Sequence, residues 1–465
     1  MKKGKIKLTG KIELLSPLRI GSGEDNNTDI DILKDSSGKP FIPATSFIGV
    51  LRHYFINFND ADEKEKEELT KFWGYHKIQG VNTKSTSIQS SIKCSDLFVI
   101  DEIAVPVDEL TSVREGVKID IKTGMTVKEA KFDFEIAERG IKFDLNMIVD
   151  YKEENYKFLL KLMNTIKSEL EAGNISIGSK TTSGLGKIKL IDPFLEVYDF
   201  SIKNDVIKWL KNENGKGITK DYNEKFNLNT NMFSIDAWFK VKTSLIVKSY
   251  PSDPTMPDAI HIQSCGKDVL PGTSLRGAIR SRAIKILNTK FNGKSEKIID
   301  NLFGFVKEGK QYDKDGKEKD NSAKSRIIIE ENLIDNCQAE IQTRIKIDRF
   351  TGGTIKGALM ESMPLFNEEG TEKEKSIRVS IKISNYKRDK AYEAGLMLLI
   401  LKDLWTGDLP IGGEKNIGRG VLEGIEATIS DGIKEIIINK KLDLEKEDIN
   451  YLQSLLDALN VYKEE

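Results

Sequence analysis

A carboxylate beside a turn that can grip phosphate is enough for phosphodiester chemistry, and this chain offers that combination twice. Near its start, Phe41-Ile42-Pro43-Ala44-Thr45-Ser46-Phe47-Ile48-Gly49-Val50-Leu51-Arg52 follows a loop carrying Asp29 and Asp31. Further on, Val269-Leu270-Pro271-Gly272-Thr273-Ser274-Leu275-Arg276-Gly277-Ala278-Ile279-Arg280 follows a loop carrying Asp258. In each block Pro fixes the approach, Ser or Thr is expected to cap the next helix, and Gly49 or Gly277 leaves room beside its first turns. Free N–H groups at a helix start suit phosphate, and Arg52, Arg276 and Arg280 add charge. One such block reads equally as a capped structural helix; repetition with the Gly and the second Arg retained favours phosphate contact. The loop aspartate, Asp29 (or Asp31) and Asp258, could serve as general base or recruit a divalent cation, with Mg2+ the expected ion. A turn-capping role accounts for either aspartate alone.

Rival chemistries fail on spacing. A calcium loop from Asp25 needs Gly sixth and Glu twelfth, and meets Ile30 and Ser36. Gly173-Asn174-Ile175-Ser176-Ile177-Gly178-Ser179-Lys180 has nucleotide-loop glycine spacing with Ser179-Lys180 in the wrong order, and Gly413 to Gly418 runs into Arg419. Neither opens a helix, as a dinucleotide fingerprint must. What remains is two glycine loops, Ile177-Gly178-Ser179-Lys180-Thr181-Thr182-Ser183-Gly184-Leu185-Gly186 and Ile411-Gly412-Gly413-Glu414-Lys415-Asn416-Ile417-Gly418-Arg419-Gly420. Their N–H groups, with Lys180 and Arg419, can line a polyanion, although a tight structural turn explains them as well. The three histidines, His53, His76 and His261, are too scattered for an acid–base pair. His261 stands near Asp258, but the first series has Ile32 there. No nucleophile elbow or activated cysteine is visible.

The elements that must position these groups also come in two matched series. Phe72-Trp73-Gly74-Tyr75 returns as Leu302-Phe303-Gly304-Phe305, and Val117-Lys118-Ile119-Asp120-Ile121-Lys122-Thr123-Gly124 as Ile345-Lys346-Ile347-Asp348-Arg349-Phe350-Thr351-Gly352. Alternating stretches at 5–15 and 234–247 predict opening strands, and those at 140–151 and 376–386 lead into helical patterns at 156–172 and 391–405. So many landmarks in one order indicate a tandem duplication of a half-chain unit. Two α+β domains, 1–230 and 231–465, follow.

Bulk properties set limits. The 465 residues are 38% apolar and 31% charged, enough for real cores under a heavily solvated surface. No apolar run is long enough to span a membrane, and no signal-peptide core follows the basic start. Cys94, Cys265 and Cys337 form neither a disulfide framework nor a zinc pattern, so an intracellular, cytoplasmic protein without membrane attachment is expected. The net charge of -1 hides a local run, 275–294, with six Lys or Arg and no acid. That run suits a polyanion, and equally an ordinary solvated helix face.

Together these residues resemble the RAMP superfamily, specifically the backbone subunits of type III CRISPR–Cas effectors. Ile20-Gly21-Ser22-Gly23, Asp29, Lys34-Asp35, Gly38-Lys39-Pro40-Phe41-Ile42-Pro43-Ala44-Thr45-Ser46 and Gly49 carry the likeness in the first half. Leu270-Pro271-Gly272-Thr273-Ser274-Leu275-Arg276-Gly277 and Ile347-Asp348-Arg349-Phe350-Thr351-Gly352 carry it in the second. Two fused copies resemble the double backbone subunit of subtype III-D-like effectors. The resemblance implies an RRM-like, ferredoxin-like core in each copy that holds guide RNA, and a thumb hairpin that kinks the guide–target duplex. It further implies cleavage of complementary target RNA beside the loop aspartate with a divalent cation present, in a complex with a polymerase-like large subunit and other backbone and cap subunits. RNA contact falls to Thr45, Ser46, Gly49, Arg52, Thr273, Ser274, Arg276, Gly277, Arg280, Lys180 and Arg419. A non-catalytic scaffold of the same complex is the alternative.

Overall fold

In β1 (Gly4–Leu14), Ile6, Leu8, Ile12 and Leu14 are buried and the side chains between them are half-exposed. That two-residue period is the signature of a sheet with one covered face. The computed structural model describes residues 3–23, 31–55, 62–77, 86–100, 109–120, 123–218, 222, 224–228, 231–251, 253–291, 296–306, 311–312, 318–319, 322–368 and 375–462. The chain divides into two compact units. Met1–Lys118, Thr126–Thr181 and Leu185–Asn229 form the first, and Ile119–Met125, Thr182–Gly184 and Thr230–Glu465 the second.

The first half of the chain continues through α1 (Ala44–Tyr54), α2 (Glu63–Trp73), β2 (Ile92–Cys94), β3 (Thr111–Ile119), β4 (Thr126–Ala137), β5 (Lys142–Tyr151), α3 (Tyr156–Ala172), β6 (Ile188–Asp199), α4 (Lys203–Leu210) and β7 (Lys216–Gly217). Its five-stranded sheet has the order β7-β6-β1-β5-β2, every pair antiparallel. With β7 set aside, the strands run 4-1-3-2 and the chain reads β-α-β-β-α-β, the ferredoxin-like arrangement. Helix α3 covers this sheet with Leu159, Leu162, Met163, Ile166 and Leu170. Each such side chain contributes about 1.5–3 kcal/mol relative to exposure. Gly173, at φ 70, ends the helix in the left-handed conformation that glycine adopts freely.

The second half repeats the plan. It contains β8 (Met232–Val241), β9 (Ala259–His261), α5 (Gly272–Lys290), α6 (Glu296–Phe303), β10 (Ile327–Ile329), β11 (Gln342–Ile347), β12 (Thr354–Met363), β13 (Ile377–Ser384), α7 (Ala391–Trp405), β14 (Leu422–Ser430), β15 (Glu435–Asn439) and α8 (Lys446–Val461). The sheet order β10-β13-β8-β14-β15 is again antiparallel throughout and again 4-1-3-2 with an added edge strand. The edge strand pairs with the fourth core strand in both sheets. Each unit has its own apolar core. The α+β class expected from the sequence is therefore present in both halves. Among the described residues no helix is long and apolar enough to cross a membrane.

Among the smaller strand pairs outside these sheets, two hairpins correspond between the halves. Strands β3 and β4 pair with each other, and β11 pairs with β12 in a small sheet that also takes in β9. Their turns share one construction. Asp120 Oδ1 accepts from the Thr123 N–H at 2.7 Å, and Asp348 Oδ1 accepts from the Thr351 N–H at 2.7 Å. Each turn closes on a glycine at positive φ, Gly124 at 69° and Gly352 at 66°. Both hairpins expose large apolar side chains: Val113, Val117, Ile119 and Met125 on one, Ile345, Ile347, Leu359 and Phe350 on the other.

Candidate nucleic-acid interface

The Pro-x-Thr-Ser turns start helices α1 and α5, but not through a hydroxyl cap. Pro43 and Pro271 occupy the N-cap positions, and neither helix has a side-chain cap of its own. Proline takes the N-cap position itself, two residues ahead of the Thr and three ahead of the Ser, which places Thr45, Ser46, Thr273 and Ser274 inside the first turn. The expected capping role is corrected accordingly. In the first unit the Ala44 N–H instead donates to Asp96 Oδ1 at 2.7 Å, so one helix-start donor already has an anionic partner. Thr45, Thr273 and Arg52 are exposed, and Arg280 is half-buried. A Cβ added at Gly49 or Gly277 would meet nothing within 4 Å. These glycines are not required by packing, and the surface beside them is open.

Arg276 faces a different duty. Its guanidinium donates to the carbonyls of Phe303 at 2.7 Å and Ile327 at 3.0 Å, and lies against the Phe303 ring. Burial, with Arg280 nearby, pushes its pKa down to about 10. The first unit has Ile48 at this place in the block, so the second block's extra arginine ties α5 to neighbouring backbone.

The loop aspartates are placed unequally. Asp29 lies outside the described residues. Asp31 is buried, and its carbonyl accepts from Ser22 Oγ at 3.2 Å. Next to it, Glu135 at the base of β4 accepts from the Ile32 N–H at 3.2 Å and pairs with Lys34 Nζ at 2.6 Å. Asp258 is exposed, and its Oδ2 accepts from the Glu361 N–H of β12 at 2.9 Å. His261 is buried between backbone groups: Nδ1 accepts from the Val247 N–H and Nε2 faces the Val269 carbonyl at 2.9 Å. Desolvation holds its pKa below the ordinary value, so it stays neutral as a structural bridge.

The two glycine loops follow one backbone path. Lys180 and Glu414 both sit at φ 55°, Gly184 and Gly418 both at 91°, and Gly186 and Gly420 at 75° and 82°. A Cβ at Gly178 would stand 2.3 Å from the Arg19 carbonyl, and one at Gly412 2.5 Å from the Ile246 carbonyl. Position by position, therefore, Lys180 answers to Glu414 and Leu185 to Arg419. The two basic residues singled out from the sequence do not occupy equivalent places.

Their surroundings differ in sign. In the first unit Lys180 Nζ lies 3.7 Å from the Phe134 ring centre and 4.5 Å from that of Phe132. The Arg19 guanidinium lies 5.0 Å from the Phe134 centre. Burial first, then the charge of Arg19, lowers the Lys180 pKa to about 8. In the second unit Glu414 accepts from Arg344 at 2.9 Å and pairs with Lys248 at 2.9 Å and with Arg419 Nε at 3.1 Å. Arg419, itself buried, also donates to Gln342 Oε1 at 2.7 Å and Ser362 Oγ at 3.3 Å. Those cations hold the Glu414 carboxyl below its usual range despite burial.

Sequence reasoning missed Arg19, Phe132, Phe134, Asp96 and Glu414. The Phe132-x-Phe134 alternation was a usable signal, because it puts two rings on one face of a strand. Nothing local marked Arg19, Asp96 or Glu414.

A family model described as the RAMP superfamily matches residues 11–189 and 238–423. The chain is also similar to a "CRISPR system Cms endoribonuclease Csm3" from Methanocaldococcus jannaschii. Identity is 25% over 207 residues, covering 41% of this chain and 80% of that protein.

Proposed function

Because the chain belongs to the RAMP superfamily, we propose that it is a guide-RNA-binding backbone subunit of a type III CRISPR effector. On this reading the effector cleaves complementary target RNA, and the loop aspartates Asp29 (or Asp31) and Asp258 each serve one cut. The observation that carries the proposal is the doubled set: two family-matched regions, each with a 4-1-3-2 sheet, a projecting apolar hairpin and a glycine loop. Similarity to a protein named as a CRISPR-system endoribonuclease supports the cutting activity. The two regions arose by tandem duplication, and the protein works in the cytoplasm in antiviral defence alongside a polymerase-like large subunit and other backbone and cap subunits.

Phosphate contacts would position the guide without reading its sequence, while base pairing supplies specificity. Open surface beside Gly49 and Gly277, with Thr45, Ser46, Arg52, Thr273, Ser274 and Arg280 around it, suits such contacts. The exposed apolar hairpins suit a wedge that kinks the duplex. A kink that aligns the ribose 2′-OH with the scissile phosphate lets one carboxylate suffice, since orientation supplies much of the acceleration. Mg2+ is the expected cation. Among the described residues no group of three or more His, Cys, Asp or Glu side chains gathers to hold one, so we assign the ion no protein ligands.

The test is reconstitution with guide, complementary RNA and Mg2+, comparing Asp29→Ala, Asp31→Ala and Asp258→Ala. Loss of a general base lowers one cut by about 10²–10⁴-fold while binding persists. Unchanged cutting in all three variants overturns the catalytic assignment, and failure to bind guide RNA overturns the family-based role. A scaffold role is favoured for the second unit by one observation, the bond from the Glu361 N–H to Asp258. In that case Asp258→Ala alters stability and leaves the cutting pattern intact.

A further inference from the structure

Arg19 and Lys180 share one aromatic ring, and among the described residues no carboxylate is bonded to either. Arg19 is only 7% exposed, and its Nε–H has no hydrogen-bond partner. Placing two like charges together out of water is unfavourable unless something of opposite sign joins them. Ring faces offset part of this through cation–π attraction. A ring face does not, however, satisfy the buried Nε–H. A tetrahedral oxyanion does, because its oxygens accept from a guanidinium fork and an ammonium at once.

The second unit shows what such a place looks like when filled from within. Glu414 stands where Lys180 stands, and three cations, Lys248, Arg344 and Arg419, close on its carboxylate. We propose that Arg19 and Lys180 form an anion clamp that takes one backbone phosphate of a bound RNA strand. Glu414 is the built-in anion of the second unit, and it keeps that loop closed to phosphate. The source of the phosphate rests on the RNA-binding reading above; the clamp itself rests on the geometry.

The experiment uses the full chain and an oligouridine probe. Lys180 is acylated by an amine-directed reagent and followed by peptide mass, alone, with oligouridine, and with inorganic phosphate. RNA is expected to slow its modification by about tenfold or more, the equivalent of 1.4 kcal/mol. Lys180→Gln, a half-buried site expected to fold normally, should flatten the dependence of log K on log salt by about 0.7, one single-strand phosphate contact. Glu414→Gln should acquire phosphate-dependent thermal stability that the wild-type loop lacks. RNA binding at full affinity with Lys180 acylated at its free rate overturns the clamp. Protection by inorganic phosphate in a chain that binds no RNA overturns the RNA assignment, and with it the proposed function rather than the anion site. A Glu414→Gln protein indifferent to phosphate overturns the built-in anion.

Discussion

The glycine loops of the two units have the same backbone and opposite electrostatics. What they share is fixed by glycines that nothing else can replace: a Cβ at Gly186 would stand 1.8 Å from the Ile177 carbonyl, and one at Gly420 1.9 Å from the Ile411 carbonyl. What differs is correlated. Bridges pair Leu18 with Ala137 and Leu245 with Leu365. Counting back three residues from Ala137 and Leu365 sets Phe134 opposite Ser362 in the comparison. Leu185 packs with Phe134 and Ile136 in the first unit; its counterpart Arg419 bonds to Ser362 and Glu414 in the second. An apolar contact beneath two cations has become a polar one beneath a neutralised carboxylate. The scaffold is shared, and the ligand chemistry is free to diverge on it.

The largest effects should strike both units alike. Gly186→Ala and Gly420→Ala each force a side chain onto a carbonyl at positive φ. Strain of about 1–3 kcal/mol and overpacking of about 1–3 kcal/mol are expected together in either case. Denaturant unfolding that shows a large loss in one variant only would break the claim of a common scaffold.

The next effect should be one-sided. Glu414→Ala leaves the buried Arg419 beside Lys248 and Arg344 without their counter-ion. Since Glu414 is partly accessible, a loss of about 2–4 kcal/mol is expected, somewhat below that for a fully buried pair. Lys180→Ala should cost far less, because it removes a repulsion as well as two ring contacts. Equal losses would mean that the two loops are electrostatically alike after all.

Much of this was legible in the chain. The α+β character of both halves was readable, because the two-residue alternation of 5–15 and 140–151 and the helical stretch 156–172 are local properties of sequence. The Asp120 and Asp348 turns were readable for the same reason, since Asp, Thr and Gly at fixed offsets build them through bonds within a few residues. The clamp was not legible. Arg19 meets Phe134 only after β4 returns beside the chain leaving β1, and no local pattern announces that meeting. The loop alignment set Lys180 against Glu414, but the cations around that carboxylate were not legible, because Lys248 and Arg344 come from distant parts of the chain.

Acidity offers a finer contrast. Lys180 has a folded-state pKa of about 8 against an ordinary value of 10.5. Between those values the unfolded chain binds the extra proton, so stability should rise with pH from about 8 to 10.5. Below pH 8 the folded loop carries the unfavourable charge in full. Lys180→Gln should shrink the rise, leaving the part owed to Lys415, whose pKa burial also lowers, and melting curves across this range check it. A wild-type profile that the Lys180→Gln variant reproduces across this window would show that the cation is already neutralised in the free protein.

The smallest expected effect on stability comes from the second hairpin tip. Phe350 is 100% exposed, so nothing in the fold depends on its ring. Phe350→Ala should change unfolding by less than about 0.5 kcal/mol, the range for surface sites. Its consequence should appear only with nucleic acid bound, where a wedge lacking its ring leaves the duplex less kinked. The matching experiment is cleavage by the reconstituted complex: the cut assigned to Asp258 should weaken while that assigned to Asp29 persists. A variant that cuts normally at both places would separate exposure of the ring from any role in bending RNA. The hairpins would then be alike in their turns and apolar surface without sharing the proposed task.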